Sequence, residues 1–347
     1  MRTPTRQISR PGAARSRATA IVTLAGALCL GACGEAAPPP APPVNVAQAI
    51  DADPLALLPP GPAALGTVDA RAFYASGSTG AQVASLVEGF LPLGPEVGFS
   101  AGRDIDRMAG ALYAGAGLEA VSVVSGRFDV NRIQAAAAAH APTHTGAPLV
   151  GLPYAGHTLY TVSNFAFTPL TDHTLVAGNE AAVRRVLDRL AAGGPQAVPR
   201  REVADWMLAT IQTPGSSYAL AADMAAIPPV ALRGLPLPPG MTALTRVGVT
   251  GDFSPPGLNV AGTLSYADPQ HAGAGADSLR QVAAFMNVAS NLGAAPRVQN
   301  LAINTDGVNV GCRFALDEEA MKRTLGSIMK LVAPAQPLPP QGPPLQR

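Results

Sequence analysis

The chain has 347 residues, 48% of them hydrophobic and 14% charged, which supplies material for a sizeable core and excludes a disordered polypeptide. Its formal charge is +1, but five arginines and no acid fall within residues 1–32, so the remainder carries 19 basic against 23 acidic groups. A mildly acidic body with one tryptophan lacks the basic surplus and the stacking platform that nucleic-acid binding needs, which excludes nucleic acid as a main partner.

Residues 1–17 are arginine-rich, and "ATAIVTLAGALCL" (18–30) is an apolar run too short to span a bilayer comfortably, the pattern of an export signal. Leu30, Gly31, Ala32 and Cys33 follow. This string resembles the lipobox of bacterial lipoprotein precursors. The resemblance implies a diacylglyceryl group on the Cys33 thiol, cleavage just before it, and a further acyl chain such as palmitate on the new amino terminus. Residues 1–32 are then a lipoprotein signal peptide, and the membrane is a partner through the lipid. Gly34 stands where the family's sorting rule places Asp for inner-membrane retention, which implies the outer membrane, facing the periplasm. The physics agrees: at about 0.8 kcal/mol per buried methylene one chain anchors marginally, and two or three anchor durably. The alternative is an ordinary secretory cut that leaves Cys33 a free thiol.

Residues 33–50 are rich in proline and alanine and read as an extended tether. The body divides into a first half, 51–195, and a second, 196–333, before a proline-rich tail at 334–347 that is expected to be disordered or extended. In the first half we expect a strand at 63–69, a helix at 80–91 and strands at 108–114 and 119–127. A helix over 130–141 should be capped by Asp129 and stopped by Pro142. Strands at 157–163 and 172–177 lead to a helix at 180–192, capped by Asn179, with Val183, Val186, Leu187 and Leu190 inward and Arg184, Arg185, Asp188 and Arg189 facing water. A bridging helix, "REVADWMLATIQ", places Val203, Trp206, Met207 and Ile211 on one side.

The second half repeats the pattern: strands at 216–224, 242–253 and 257–267, then a helix at 277–292 capped by Asp277. A hairpin turning at Asp306-Gly307 in type I′ geometry comes next, and Asp317 caps a last amphipathic helix. Leu258, Val260, Leu264 and Tyr266 alternate with Asn259, Thr263 and Ser265, the signature of a sheet with one covered face. Its polar face carries Arg246, Thr250, Asp252, Asn304 and Arg313. The expected class is therefore α+β, two similar halves of mainly antiparallel sheet with helices packed on one face.

Candidate chemistry is sparse. Cys312 alternates with Asn309, Gly311 and Arg313 and reads as a core thiol; once Cys29 is removed and Cys33 acylated, no disulfide can form. His140 and His144 have helical metal spacing, but Pro142 interrupts it. Asp104 and Asp106 form a DxD that reads as a charged turn. "HAGAGADSLR" looks faintly like a phosphate cradle but lacks the lysine and the third glycine. His157, His173 and Asp172 could converge at strand ends. No catalytic, cofactor or metal residue is assigned, and the one site residue is the lipid attachment, Cys33. The reading is a non-enzymatic, lipid-anchored envelope protein presenting a binding or scaffold surface to an envelope protein partner. The alternatives are a carrier or sensor of a hydrophobic ligand and a hydrolase with a dispersed site.

Overall fold

In the computed structural model the structure describes residues 45–77, 80, 93–115, 117–143, 145–193, 200–229, 239–241, 243–291, 297–317 and 319. The expected signal peptide, the helix at 80–91 and the last helix fall outside them, as do Cys33, His144 and the tail. The tether gives way earlier than expected. Residues 46–50 belong to helix α1 (Val46–Ala52), whose cap Asn45 accepts a hydrogen bond from the Gln48 amide and which buries Ile50. Ile50 enters the core and Val46 packs against it, which joins this capped segment to the body.

Twelve strands form one antiparallel sheet. In chain order they are β1 (Ala64–Asp69), β2 (Ile105–Ala114), β3 (Leu118–Gly126), β4 (Val150–Tyr154), β5 (His157–Val162), β6 (Phe165–Pro169) and β7 (Thr174–Asn179), then β8 (Tyr218–Asp223), β9 (Leu244–Asp252), β10 (Gly257–Tyr266), β11 (Val298–Asp306) and β12 (Asn309–Asp317). The first half runs β1-β2-β3-β7-β6 across the sheet and the second runs β8-β9-β10-β12-β11. The two orders are the same, and β1 joins β8 at the seam, Gly66 opposite Leu220. The first half adds the hairpin β5-β4 at its outer edge.

Among the described residues the remaining α-helices are α2 (Ala70–Tyr74), α3 (Ala101–Asp104), α4 (Val130–Ala138), α5 (Glu180–Ala192), α6 (Asp205–Ile211) and α7 (Pro269–Asn291). The α+β class and the antiparallel sheet are as expected, and register assigns the helices to both faces rather than one. On one face Leu65, Ala111, Val121 and Val176 meet Val183, Val186 and Leu187 of α5 and Met207 and Ile211 of α6. On the other, Val124, Phe167 and Leu175 meet Ile133 and Ala136 of α4, and Leu264, Tyr266 and Val310 meet Ala272 and Ala276 of α7.

Local chemistry sets the boundaries. Asp129 accepts from the Arg132 amide and starts α4, which ends at Ala138 ahead of Pro142, with His140 in a left-handed conformation. Asn179 precedes α5, but its side chain accepts from the Ala120 amide instead of capping the helix. Helix α7 begins eight residues before the expected Asp277. Its signal is Asp268, which accepts from the His271 amide at 2.9 Å, followed by Pro269 in the first turn. The β11-β12 turn is also corrected. Asp306 pairs with Asn309, so Gly307 and Val308 form the loop, and of these only Gly307 has positive φ (56°), the pattern of type II′.

Candidate functional site

The residues singled out by sequence scatter. Asp104 is buried at the end of α3, where Arg103 donates to it at 2.6 and 2.8 Å and the Ser100 amide at 2.9 Å. Burial penalises its charge, but these donors outweigh that and hold its pKa below the ordinary carboxylate value. Asp106 turns away to pair with Arg71 at 2.5 Å. The two carboxylates of the DxD therefore serve separate local pairs.

His157 begins β5 and His173 immediately precedes β7, with β6 between those strands. His173 Nδ1 lies 3.2 Å from the Gly126 carbonyl, while burial pushes the His157 imidazole down from its usual pKa. Asp172 contributes its backbone carbonyl to the Phe128 amide. Among the described residues, no three of His, Cys, Asp or Glu converge to hold a metal ion. Cys312 is half-buried on β12 opposite Gly262, and burial raises its thiol pKa, so it is poorly suited to act as a thiolate nucleophile at neutral pH.

The glycine-rich string "HAGAGADSLR" is helical. Gly273 and Gly275 lie inside α7, where the N–H groups of a cradle are committed to the helix. Gly275 is there because Tyr266 packs against it: a Cβ at this position would stand 2.0 Å from the Tyr266 hydroxyl.

A cleft of about 770 Å³ was not foreseen in the sequence. It opens beside α1 and the ends of β1 and β2, and its charged groups come from segments far apart in the chain. Arg201 donates to both carboxylate oxygens of Asp53 at 2.8 and 2.9 Å, Arg71 holds Asp106, and Arg107 stands 3.8 Å from Asp69. Asp51 accepts from the hydroxyls of Thr171 (2.5 Å) and Thr174 (2.7 Å). Each carboxylate is already engaged, so the cleft ties α1 and α2 to the sheet. A second cavity, about 500 Å³, lies beside α4 over the stacked rings of Phe99 and Phe128, with Arg103 and Asp104 in its wall.

Arginines expected in water on α5 are also engaged. Arg189 is only 18% exposed; it pairs with Glu202 at 2.7 Å and donates to the carbonyls of Leu58 and Arg200. Arg185 pairs with Glu119 and stacks on Tyr113. On the polar face of the second half, Arg246 lies over the Trp206 ring at 5.1 Å, so α6 covers part of that face.

Several large apolar side chains are exposed. The last eleven residues of α7, Gln281–Asn291, carry no charge, and Phe285 and Val288 are 71% and 62% exposed. At the seam, Val68, Leu112 and Leu220 share one face of the sheet through their pairing with Met108, Ala64 and Gly66, and all three are exposed.

No family model matches this chain, and no curated protein matches its sequence. Solved structures do. Crystal form III of TP0453 superposes with a TM-score of 0.51 at 12% identity, over 79% of this chain and 98% of that one. Crystal form I of the same protein gives 0.52 at 12% identity, over 80% and 97%. At that identity the likeness establishes a shared α+β fold.

Proposed function

We propose that this protein is a lipid-anchored component of the cell envelope, acylated at Cys33, which acts without catalysis by presenting a binding or scaffold surface to an envelope protein partner in the periplasm. The observation that carries the reading is the string Leu30-Gly31-Ala32-Cys33 directly after an apolar run with an arginine-rich start. The geometry of the body supports the second clause. The cleft beside α1 is walled by carboxylates that already have partners, and among the described residues no three of His, Cys, Asp or Glu converge. The Cys312 thiol is raised in pKa, while the charge-free apolar stretch of α7 lies open. Free apolar side chains of this size are a feature of interaction surfaces.

Metabolic labelling with a fatty acid tests the anchor. The wild-type chain should take up label and sediment with membranes, and Cys33→Ala should lose the label and enter the soluble fraction. Label retained by Cys33→Ala, or an unlabelled wild type, contradicts the reading.

A further inference from the structure

We infer that the outer edge of β11 is a pairing site for a second copy of this chain, strand β11 against strand β11, antiparallel about Asn304. The internal repeat is the starting point. In the common strand order β11 holds the place that β6 holds in the first half, and β6 is covered on its outer side by β5, antiparallel, with Tyr160 opposite Phe167. In the second half the sheet stops at β11, and among the described residues no strand pairs with its outer side. The opposite edge of the sheet, β4, is blunted: it is five residues long and contains Pro153, which has no N–H to donate. β11 is nine residues long, "VQNLAINTD", with no proline, lysine or arginine and one acid.

Register narrows the contact. The ladder between β11 and β12 is irregular between Gln299 and Ala302, where Asn300 has φ 54°, so the regular part is Ala302–Asp306. The Tyr266 amide donates to the Val308 carbonyl, which turns the peptides of 308, 310 and 312 toward β10 and those of Asn309, Gly311 and Arg313 toward β11. Their partners Asp306, Asn304 and Ala302 face inward, so Ile303 and Thr305 direct N–H and C=O to the open edge.

A two-fold axis through Asn304 sets Ile303 opposite Thr305 in both directions, and each pair exchanges two main-chain hydrogen bonds. A centre at Ile303 would engage the irregular residue Leu301, and one at Thr305 would engage the turn residue Gly307. About Asn304, the lone acid Asp306 faces Ala302, so no like charges meet.

The test uses the full chain with Cys29→Ser, Cys33→Ser and Cys312→Ser, which removes the lipid and separates this question from the anchor. Asn304→Cys should oxidise to a dimer about tenfold or more faster than Thr263→Cys, at a position that is also exposed but lies on an inner strand of the sheet, because a held pair raises effective concentration. Adding Thr305→Pro, which removes an outward donor, should bring the rate down to that of Thr263→Cys. In sedimentation at rising concentration the parent should self-associate, and Asn304→Lys, which sets two cations face to face and keeps the main-chain groups of the hairpin, should weaken that association about tenfold. Equal cross-linking of Asn304→Cys and Thr263→Cys, or self-association unchanged by Asn304→Lys, overturns the inference. A chain that stays monomeric at every concentration overturns it as well.

Discussion

Two glycines of α7, two residues apart, should respond to the same substitution with opposite signs. Gly273 has no atom within 4 Å of where a Cβ would stand, whereas a Cβ on Gly275 would meet the Tyr266 hydroxyl at 2.0 Å and its Cζ at 2.3 Å. In a helix interior, alanine is favoured over glycine by about 0.8–1.0 kcal/mol, so Gly273→Ala should stabilise by somewhat under ~1 kcal/mol. Gly275→Ala gains the same propensity but must displace a buried ring held between β10 and α7. Overpacking of that kind costs about 1–3 kcal/mol, so the net effect should be a loss of up to about 2 kcal/mol. Urea denaturation followed by circular dichroism reads both. The reasoning fails if both variants shift the midpoint the same way, or if Gly273→Ala destabilises, as it would in a glycine loop with strained backbone.

The Tyr266 hydroxyl is buried with no hydrogen-bond partner, so Tyr266→Phe should leave stability unchanged or raise it by up to about 1 kcal/mol, and a clear loss in the same melts would contradict that. Leu187→Ala, in the fully buried row of α5, should cost about 2–5 kcal/mol, while Phe285→Ser should stay within about 0.5 kcal/mol; equal effects would refute the packing described. Asp104 has a folded-state pKa below its unfolded value, so its contribution is present above about pH 4 and is lost as pH falls through the lowered value. Asp104→Asn should therefore be less stable than wild type at neutral pH and lose less on acidification. Parallel acid limbs in pH-dependent melts would remove that role.

Long, regular elements were legible because periodicity and capping agree in them. Asp129 and the Val183-Val186-Leu187 row are cases where a local signal and a burial pattern coincide. Strands β4 and β6 were not legible. Gly151 and Pro153 in one and Pro169 in the other read as loop residues, and the pairing that makes them strands comes from neighbours. The start of α7 was misread because Gly273 and Gly275 weaken helix propensity locally, while the reason for Gly275 is a tyrosine on another element. The paired-charge cleft was invisible for a related reason: Arg201 meets Asp53, and Thr171 meets Asp51, across more than a hundred residues. The likeness of the halves, by contrast, could be read from the order of elements, and it is that likeness which exposes β11 as an uncovered edge.

The claim on which the cellular reading depends concerns one sulfur atom. Intact-mass and fragment analysis of the protein isolated from its native membranes should find a chain beginning at Cys33 with a thioether-linked diacylglyceryl group on its thiol. A mature chain that starts at another residue, or one that carries Cys33 unmodified, would contradict the account.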